Sequence, residues 1–188
     1  MVIPEHLQIE IVAGICSADC IMCTIKDTPR KGILSINDYA SILKKFEPYT
    51  DKLQYLTLHG MGEPLLDKTL PAKIALAKKK GFKGIGFATN ATHLTRDKTE
   101  ALLDCGLNTI IFSLDGITKK THENIRRGVD YDDIMEKILY FIKRRNQQNA
   151  LDTKIIVRMI RQESNQHECD DYRTFWNGHL SPANGDLV

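Results

Sequence analysis

The alternation of short apolar strands with longer amphipathic helices constrains the fold of this 188-residue chain more than any other feature. This order is typical of βαβ units, which build a parallel sheet. The predicted strands cover residues 7–13, 53–59, 83–89, 108–114 and 154–160. The predicted helices cover residues 35–46, 68–80, 95–105, 131–148 and 166–176. The pattern predicts either a partial (β/α) barrel or an open doubly wound sheet, and by itself it does not separate them.

Charge and hydropathy argue against several function classes. A formal net charge of +2 is too small to indicate a nucleic-acid partner. No apolar run approaches the roughly 20 residues needed to cross a bilayer, so no membrane partner is expected. The first fifteen residues contain Glu5 and Glu10 and lack a basic leader, which favours a cytoplasmic location over secretion. The basic run Lys143-Arg144-Arg145 is interpreted as the solvated end of a helix.

Three cysteines follow the first predicted strand with the spacing C-x3-C-x2-C, at Cys16, Cys20 and Cys23. In a reducing compartment, such a tight group is more typical of metal binding than of disulfide formation. The spacing puts three thiolates on one loop, close enough to converge on a single metal centre. If the centre is a four-iron cluster, three protein ligands leave one iron open to bind and activate another molecule. This loop is therefore a candidate metal centre.

Glycine-rich or polar segments follow the next three predicted strands, where parallel α/β folds place their sites. They are Gly60-Met61-Gly62-Glu63-Pro64, Thr89-Asn90-Ala91 and Ser113-Leu114-Asp115-Gly116, and Arg126-Arg127-Gly128 precedes the fourth predicted helix. The glycines allow close approach to a ligand, and Glu63 offers a carboxylate beside them. Ser113 and Asp115 share one face because strand side chains alternate. The arginines could clamp a carboxylate with a planar fork of donors.

Taken together and in this order, the cysteine motif and the strand-end motifs resemble the radical S-adenosylmethionine (radical SAM) superfamily. In detail they resemble its branch with a C-terminal SPASM or twitch extension. The resemblance implies an α/β fold, a partial (β/α)6-type TIM-like barrel of parallel strands that is incomplete at the C-terminus. Residues 1–188 would form the radical SAM core domain, ending near the start of a sixth strand at residues 186–188, without the extension. The chain departs from the family pattern at Met22, usually aromatic, and at Met61 and Ala91, where glycine is common.

The resemblance also implies a role for each motif. Cys16, Cys20 and Cys23 would ligate three irons of a [4Fe–4S] cluster, and S-adenosylmethionine would bind the fourth. Glu63 would accept a hydrogen bond from the amino group of S-adenosylmethionine. Arg127 would pair with the carboxylate of the cofactor. The implied cofactor-binding residues are Met22, Gly60, Met61, Gly62, Glu63, Asn90, Ser113, Asp115 and Arg127. The implied activity is reductive cleavage of S-adenosylmethionine to a 5′-deoxyadenosyl radical, which abstracts hydrogen from a substrate.

The implied partners are a flavodoxin- or ferredoxin-type reductant and, by association with this branch, a peptide or protein substrate. Other classes stay open. A non-catalytic iron–sulfur domain for electron transfer or sensing normally needs a fourth cysteine to close its cluster. A structural zinc module also needs a fourth ligand, and it would leave the strand-end motifs unexplained. A chain without the C-terminal extension could also bind its cluster and lack full turnover.

Overall fold

The computed structural model describes residues 4–188 and is built around a parallel β-sheet. Its strands are β1 (His6–Gln8), β2 (Val12–Ala13), β3 (Asp19–Cys20), β4 (Gly32–Ile33), β5 (Tyr55–Thr57), β6 (Ile85–Thr89), β7 (Thr109–Ser113), β8 (Arg126–Arg127) and β9 (Lys154–Arg158). Its α-helices are α1 (Ile36–Phe46), α2 (Leu70–Lys79), α3 (Arg96–Asp104), α4 (Lys119–Ile125), α5 (Tyr131–Gln147) and α6 (Cys169–Asn177). The five-stranded sheet has the order β1-β5-β6-β7-β9, with every neighbouring pair parallel.

The two faces of this sheet differ in burial. One face, with Leu56, Phe87 and Ile110 at its centre, joins the apolar core formed with the helices. The opposite face carries half-buried residues such as Ile111 and Ile156, which line an open cavity. Helices outside and an open face inside are the arrangement of a partial (β/α) barrel. The prediction of a partial TIM-like barrel with parallel strands is therefore confirmed.

The prediction of one strand over residues 7–13 is wrong. The N–H of Ile9 still bonds to the Thr57 carbonyl at 2.8 Å, but the chain then leaves the sheet. Strand β2 pairs instead with β4 in a separate antiparallel ribbon. A second ribbon joins β3 to β8, and neither ribbon was predicted, nor was helix α4. A two-residue ladder between segments more than 100 residues apart leaves no local periodicity in the sequence.

The interpretation of Lys143-Arg144-Arg145 as a solvated helix end is also wrong in part. Lys143 is exposed, but Arg144 pairs with Glu100 at 2.7 Å, and Arg145 is completely buried. The latter arginine forms two bonds with the Asp186 carboxylate, of 2.9 and 2.6 Å. A buried charge is tolerated because it is paired and hydrogen-bonded. This pair fixes the end of α5 to the segment that follows α6.

The sixth strand predicted at residues 186–188 is present only as a single parallel bridge. Leu187 pairs with Ile156 of β9, and backbone hydrogen bonds to Ile155 and from Val157 hold it there. The sheet thus continues past β9 by one residue pair. Within residues 4–188, no helix is both long enough and apolar enough to cross a membrane.

Candidate cofactor site

Cys16, Cys20 and Cys23 line one cavity of about 170 Å³ at the carboxyl end of the sheet. The cavity also contains most of the residues that the strand-end motifs predicted: Gly60, Met61, Gly62, Glu63, Asn90 and Ser113. The loops after β5 and β6 and the end of β7 therefore meet the cysteine loop at one edge. Parallel α/β folds bring strand ends together in this way, which is why the motifs could be grouped from sequence.

Two of the thiols have N–H donors beside them. The Sγ of Cys16 lies 3.4 Å from the Nδ2 of Asn90, and the Sγ of Cys20 lies 3.6 Å from Nη1 of Arg126. Burial raises the pKa of both thiols, and the positive charge of Arg126 acts in the opposite direction. Such donors stabilise the thiolate form, which is the form that binds iron.

The donor set of the cavity fits an iron–sulfur cluster better than a single metal ion. Nowhere in residues 4–188 are three His, Cys, Asp or Glu side chains gathered as the ligands of one ion. A structural zinc would need four ligands at about 2.0–2.3 Å from one point. In a four-iron cluster each cysteine binds a different iron, so the sulfurs stand further apart around a shared cavity. Three thiols around one cavity, two of them with N–H donors beside them, fit such a cluster.

Glu63 connects the loops after β5 and β6. It is buried, and Oε1 of its carboxylate accepts bonds from the Thr89 hydroxyl at 2.6 Å and the Leu65 N–H at 3.0 Å. Its Oε2 accepts the Asn90 N–H at 2.9 Å. Burial raises the pKa of Glu63, while these three bonds oppose the rise. A carboxylate has about four acceptor positions, so about one remains for a ligand.

Gly60 and Gly62 are required by the chain segment that leads to the cysteines. A Cβ on Gly60 would lie 2.5 Å from Oε1 of Glu10, and a Cβ on Gly62 would lie 2.2 Å from the Val12 carbonyl. Between them, the N–H of Met61 donates to Glu10 at 2.5 Å. The glycines were expected to allow approach of a ligand. Their closest neighbours instead belong to residues 10–12, so this motif also positions the cysteine loop.

Arg127 and Asp115 do not line the cavity. Arg127 is exposed, whereas its neighbour Arg126 is nearly buried and reaches the cysteines. The Nε of Arg126 lies 2.7 Å from Oδ2 of Asp115, a close ion pair whose N–H is not aimed at the oxygen. Asp115 is completely buried, and its Oδ1 accepts the Ile160 N–H at 2.7 Å. It therefore contacts the site only through the arginine.

The sequence pattern left both arginines as candidates for the clamp, because adjacent residues on a strand point to opposite faces, and the resemblance selected Arg127. The register that pairs Cys20 with Arg126 decides between them. The candidate residues named from the sequence also omit Arg158 and His59, which both line the cavity. Met22 is half-buried and lies outside the cavity lining.

Ala91, which stands where the family often has glycine, adopts the backbone conformation that glycine favours. Its φ is +63°, and it is completely buried. A left-handed conformation costs a residue with a Cβ about 1–2 kcal/mol. The substitution therefore preserves the turn after β6 and adds local strain.

Comparison with known proteins shows the family of this chain. The model of the Radical SAM superfamily matches residues 11–167, most of the chain, and the chain therefore belongs to this superfamily. It is a radical SAM enzyme core, and its cofactors are a [4Fe–4S] cluster and S-adenosylmethionine.

Individual relatives are distant. The chain is 28% identical over 148 residues to 7,8-dihydro-6-hydroxymethylpterin dimethyltransferase of Methanocaldococcus jannaschii, covering 72% of this chain and 28% of that relative. It thus spans less than a third of this curated relative's length. Streptococcus suis SuiB bound to S-adenosylmethionine has a similar fold, with a TM-score of 0.71 at 18% identity over 92% of this chain and 37% of SuiB. SuiB bound to precursor peptide SuiA matches with a TM-score of 0.68 at 18% identity, over 90% and 36% of the two chains.

Proposed function

We propose that this chain binds its [4Fe–4S] cluster through Cys16, Cys20 and Cys23 and directs radical chemistry at a substrate on the open face of the sheet. The observation that carries the proposal is the shared cavity of the three cysteines and the strand-end residues. When bound, the cluster and S-adenosylmethionine supply one-electron cleavage of a C–S bond and abstraction of a substrate hydrogen atom. The residues of the chain bind, orient and shield these groups.

The cluster would be held by the three thiolates and tuned by their neighbours. Asn90 and Arg126 offer N–H donors to the sulfurs of Cys16 and Cys20. Hydrogen bonds to cluster sulfurs and nearby charge are the means by which proteins set the reduction potential. Loading the site releases protons from the cysteines, because the ligands must be thiolates.

S-adenosylmethionine would bind with its amino-acid end between an acceptor and a donor. Glu63 offers the remaining carboxylate acceptor for the ammonium group, and Ser113 offers a hydroxyl at the end of β7. We assign the carboxylate of the cofactor to Arg126 instead of Arg127, because Arg126 lines the cavity and its Nη1 faces Cys20 there. The two opposite charges then recognise the two ends of a zwitterion.

The backbone around Gly60, Met61 and Gly62 would border the cofactor from the β5 side, since these residues line the cavity. Met22, which stands where the family usually has an aromatic residue, would pack beside the adenine through its polarizable sulfur.

The substrate would enter from the open face, and we propose a peptide or protein. The support is the similarity of fold to SuiB, which was solved with its precursor peptide. We also propose a flavodoxin- or ferredoxin-type reductant. A groove of about 700 Å³ that also borders Cys16 carries Lys31 and Arg127, together with Lys26 and its partner Asp19, and its net positive charge would suit an acidic electron carrier.

The test is anaerobic reconstitution with iron and sulfide, followed by EPR of the reduced protein with and without S-adenosylmethionine. Alanine at Cys16, Cys20 or Cys23 is expected to abolish the cluster signal. The matched control is Cys169→Ala, a half-buried cysteine outside the cavity, which should retain full iron and sulfide. A wild-type signal that S-adenosylmethionine does not change would instead support an electron carrier. Full iron and sulfide content in a cysteine variant would contradict the ligand assignment.

A further inference from the structure

A second cavity, of about 430 Å³, lies on the open face of the sheet. Inward-facing residues of β5, β6, β7 and β9 form its floor, among them Thr57, Gly86, Ile111 and Ile156. His59 lines both this cavity and the cysteine cavity, so it stands at their border. A substrate on the open face must therefore pass His59 to reach the cofactor.

The ring of His59 is fixed as a hydrogen-bond donor toward its surroundings. Its Nδ1 lies 3.1 Å from the backbone N–H of Ala88, and because an amide N–H can only donate, Nδ1 must be the acceptor. The ring proton of the neutral imidazole is then on Nε2. Burial lowers the pKa of His59, and the charges of Arg158 and His6 lower it further. Within residues 4–188, Nε2 has no hydrogen-bond partner in the protein.

Arg158, at the end of β9, provides a second set of donors in the cysteine cavity. It is exposed, it lines the cysteine cavity together with His59, and it is in register with Ser113. In the described part of the chain, no carboxylate lies within 4 Å of its guanidinium. An arginine that stabilises a fold usually has such a partner, as Arg126 and Arg145 do here.

No acidic side chain balances these donors. Glu63 is the one carboxylate among the described residues that line either cavity, and three internal donors already engage it. The open-face cavity adds His6 and Lys154 to its lining. The described lining of the two cavities therefore presents donors and positive charge, and its one carboxylate is already engaged.

We infer that His59 and Arg158 form a recognition site for an anionic group of the substrate, either a carboxylate or a phosphate. The planar fork of the guanidinium would bind two oxygens of the anion, and the Nε2–H of His59 would donate to one of them. Binding there would hold a substrate carbon beside the cofactor cavity. The inference rests on the proposed function, since it concerns the substrate of that same site.

The test measures protection of Arg158 from phenylglyoxal in the reconstituted protein, with saturating S-adenosylmethionine and with mass spectrometry resolving each arginine. The probes are glutarate for a carboxylate and inorganic phosphate for a phosphate, with glutaramide as the uncharged match of glutarate. Arg161 is the internal control, because it is exposed and lines neither cavity. The anion that the site prefers, at about 50 mM, should slow modification of Arg158 about fivefold, as a site with a Kd of about 12 mM requires.

Variants of His59 distinguish binding of the anion by the Nε2 donor from a general attraction to positive charge. His59→Phe removes the Nε2 donor and should lose most of the protection, whereas His59→Gln keeps an N–H donor and should retain it. Thermal unfolding of each variant reports whether it is folded. Stronger protection by glutarate or by phosphate identifies which anion the site prefers.

Three results would overturn the inference: no protection by either anion, equal protection by glutaramide, or equal protection of Arg161. Full protection by S-adenosylmethionine alone would also overturn it, because Arg158 would then belong to the cofactor. The EPR response of the same samples reports on the proposed function separately. An intact response without anion protection would contradict only the anion site, while protection without a cluster signal would support the anion site and contradict the proposed function.

Discussion

Two buried arginine–aspartate pairs hold opposite parts of this molecule, and they are built differently. Arg145 turns both terminal nitrogens onto the Asp186 carboxylate, at 2.9 and 2.6 Å. The closest contact of Arg126 with Asp115 is through Nε, at 2.7 Å, and the Nη1 of Arg126 lies 3.6 Å from the Sγ of Cys20. The Arg145 guanidinium thus uses its terminal nitrogens for bonds inside the protein. In Arg126, the Nε faces Asp115 and Nη1 faces the cavity.

This difference separates stability from function. Removing one member of a buried pair leaves an uncompensated charge, which is strongly destabilising. Removing the anchor of a side chain that faces a cavity leaves a charge that can reorient toward solvent, and the loss then appears in ligand binding. The following variants test the separation, beginning with the largest expected effect.

Asp186→Asn should lower the free energy of unfolding by about 3–5 kcal/mol, because Arg145 remains buried without its counter-ion. Urea denaturation measures the loss. The double variant Arg145→Met with Asp186→Asn should recover part of it, since the buried charge is gone. In the folded protein, the EPR response to S-adenosylmethionine should be unchanged. A loss below about 1 kcal/mol would mean that the pair contributes less than its burial implies.

The two regions should also lose stability at different pH. Burial lowers the pKa of His122, whose Nδ1 accepts the Asp115 N–H, to about 4. Its unfolded pKa is about 6.5, so the unfolded chain binds the proton more tightly. The contribution of neutral His122 to the free energy of unfolding is therefore complete above about pH 6.5. It falls by about 3 kcal/mol as the pH drops to 4.

The Asp186 pair responds only at lower pH. Burial alone would raise the pKa of Asp186, but bonds from Arg145, Ser181 and the Ile155 N–H outweigh it and lower the pKa. Its contribution is present above the unfolded value of about 3.9 and is lost as the pH falls through the folded pKa.

Urea midpoints of wild type and His122→Asn, measured from pH 7 to 4, isolate the histidine. Glu63, whose pKa burial raises, contributes equally to both proteins. Parallel pH curves for the two proteins would refute the assignment of this window to His122.

Asp115→Asn should weaken S-adenosylmethionine binding about tenfold while iron and sulfide content stays near that of wild type, because residues behind a cofactor ligand typically have effects of this size. Titration of the EPR change with S-adenosylmethionine measures it. Asp186→Asn is the matched control, since it removes the same charge from the other pair. Equal affinity for S-adenosylmethionine in both variants would contradict the view that only the Arg126–Asp115 pair supports cofactor binding.

The smallest expected effect concerns backbone strain in the same two regions. Near the site, Ala91 occupies a left-handed conformation at φ +63°, whereas beside Asp186 the position at φ +79° is filled by Gly185. Ala91→Gly should change the free energy of unfolding by less than about 1 kcal/mol, because relief of strain offsets lost burial and added chain entropy. Gly185→Ala should cost about 1 kcal/mol, since its Cβ would lie 3.0 Å from Lys154. Thermal unfolding measures both changes. A larger loss of stability for Ala91→Gly than for Gly185→Ala would contradict the inference that Ala91 is strained.

Local patterns were sufficient for the elements that carry most of the fold. The run Ile85-Gly86-Phe87-Ala88-Thr89 alternates between core and cavity as a strand should, and the helix that begins after Ser35 is capped by that serine. The motif residues Glu63, Asn90 and Ser113 could be grouped because strand ends of a parallel sheet meet at one edge.

Tertiary register decided what the sequence pattern could not. In both Arg126-Arg127 and Arg144-Arg145, one arginine is buried against an aspartate and its neighbour points elsewhere. The aspartate partners lie 11 residues before Arg126 and 41 residues after Arg145, and no local periodicity links them. The same limit applies to Arg158. It ends β9 and His59 follows β5, with β6 and β7 between these strands, and only the fold shows that both residues line one cavity.

The Arg145–Asp186 pair has a consequence for how the chain folds during synthesis. The arginine emerges from the ribosome 41 residues before its counter-ion. Until Asp186 appears, the end of α5 would have to bury a lone charge or keep it in water. Docking of that helix end against β9 is therefore expected among the late events of folding. A nascent chain stalled between these two positions would expose this corner to chaperones and proteases.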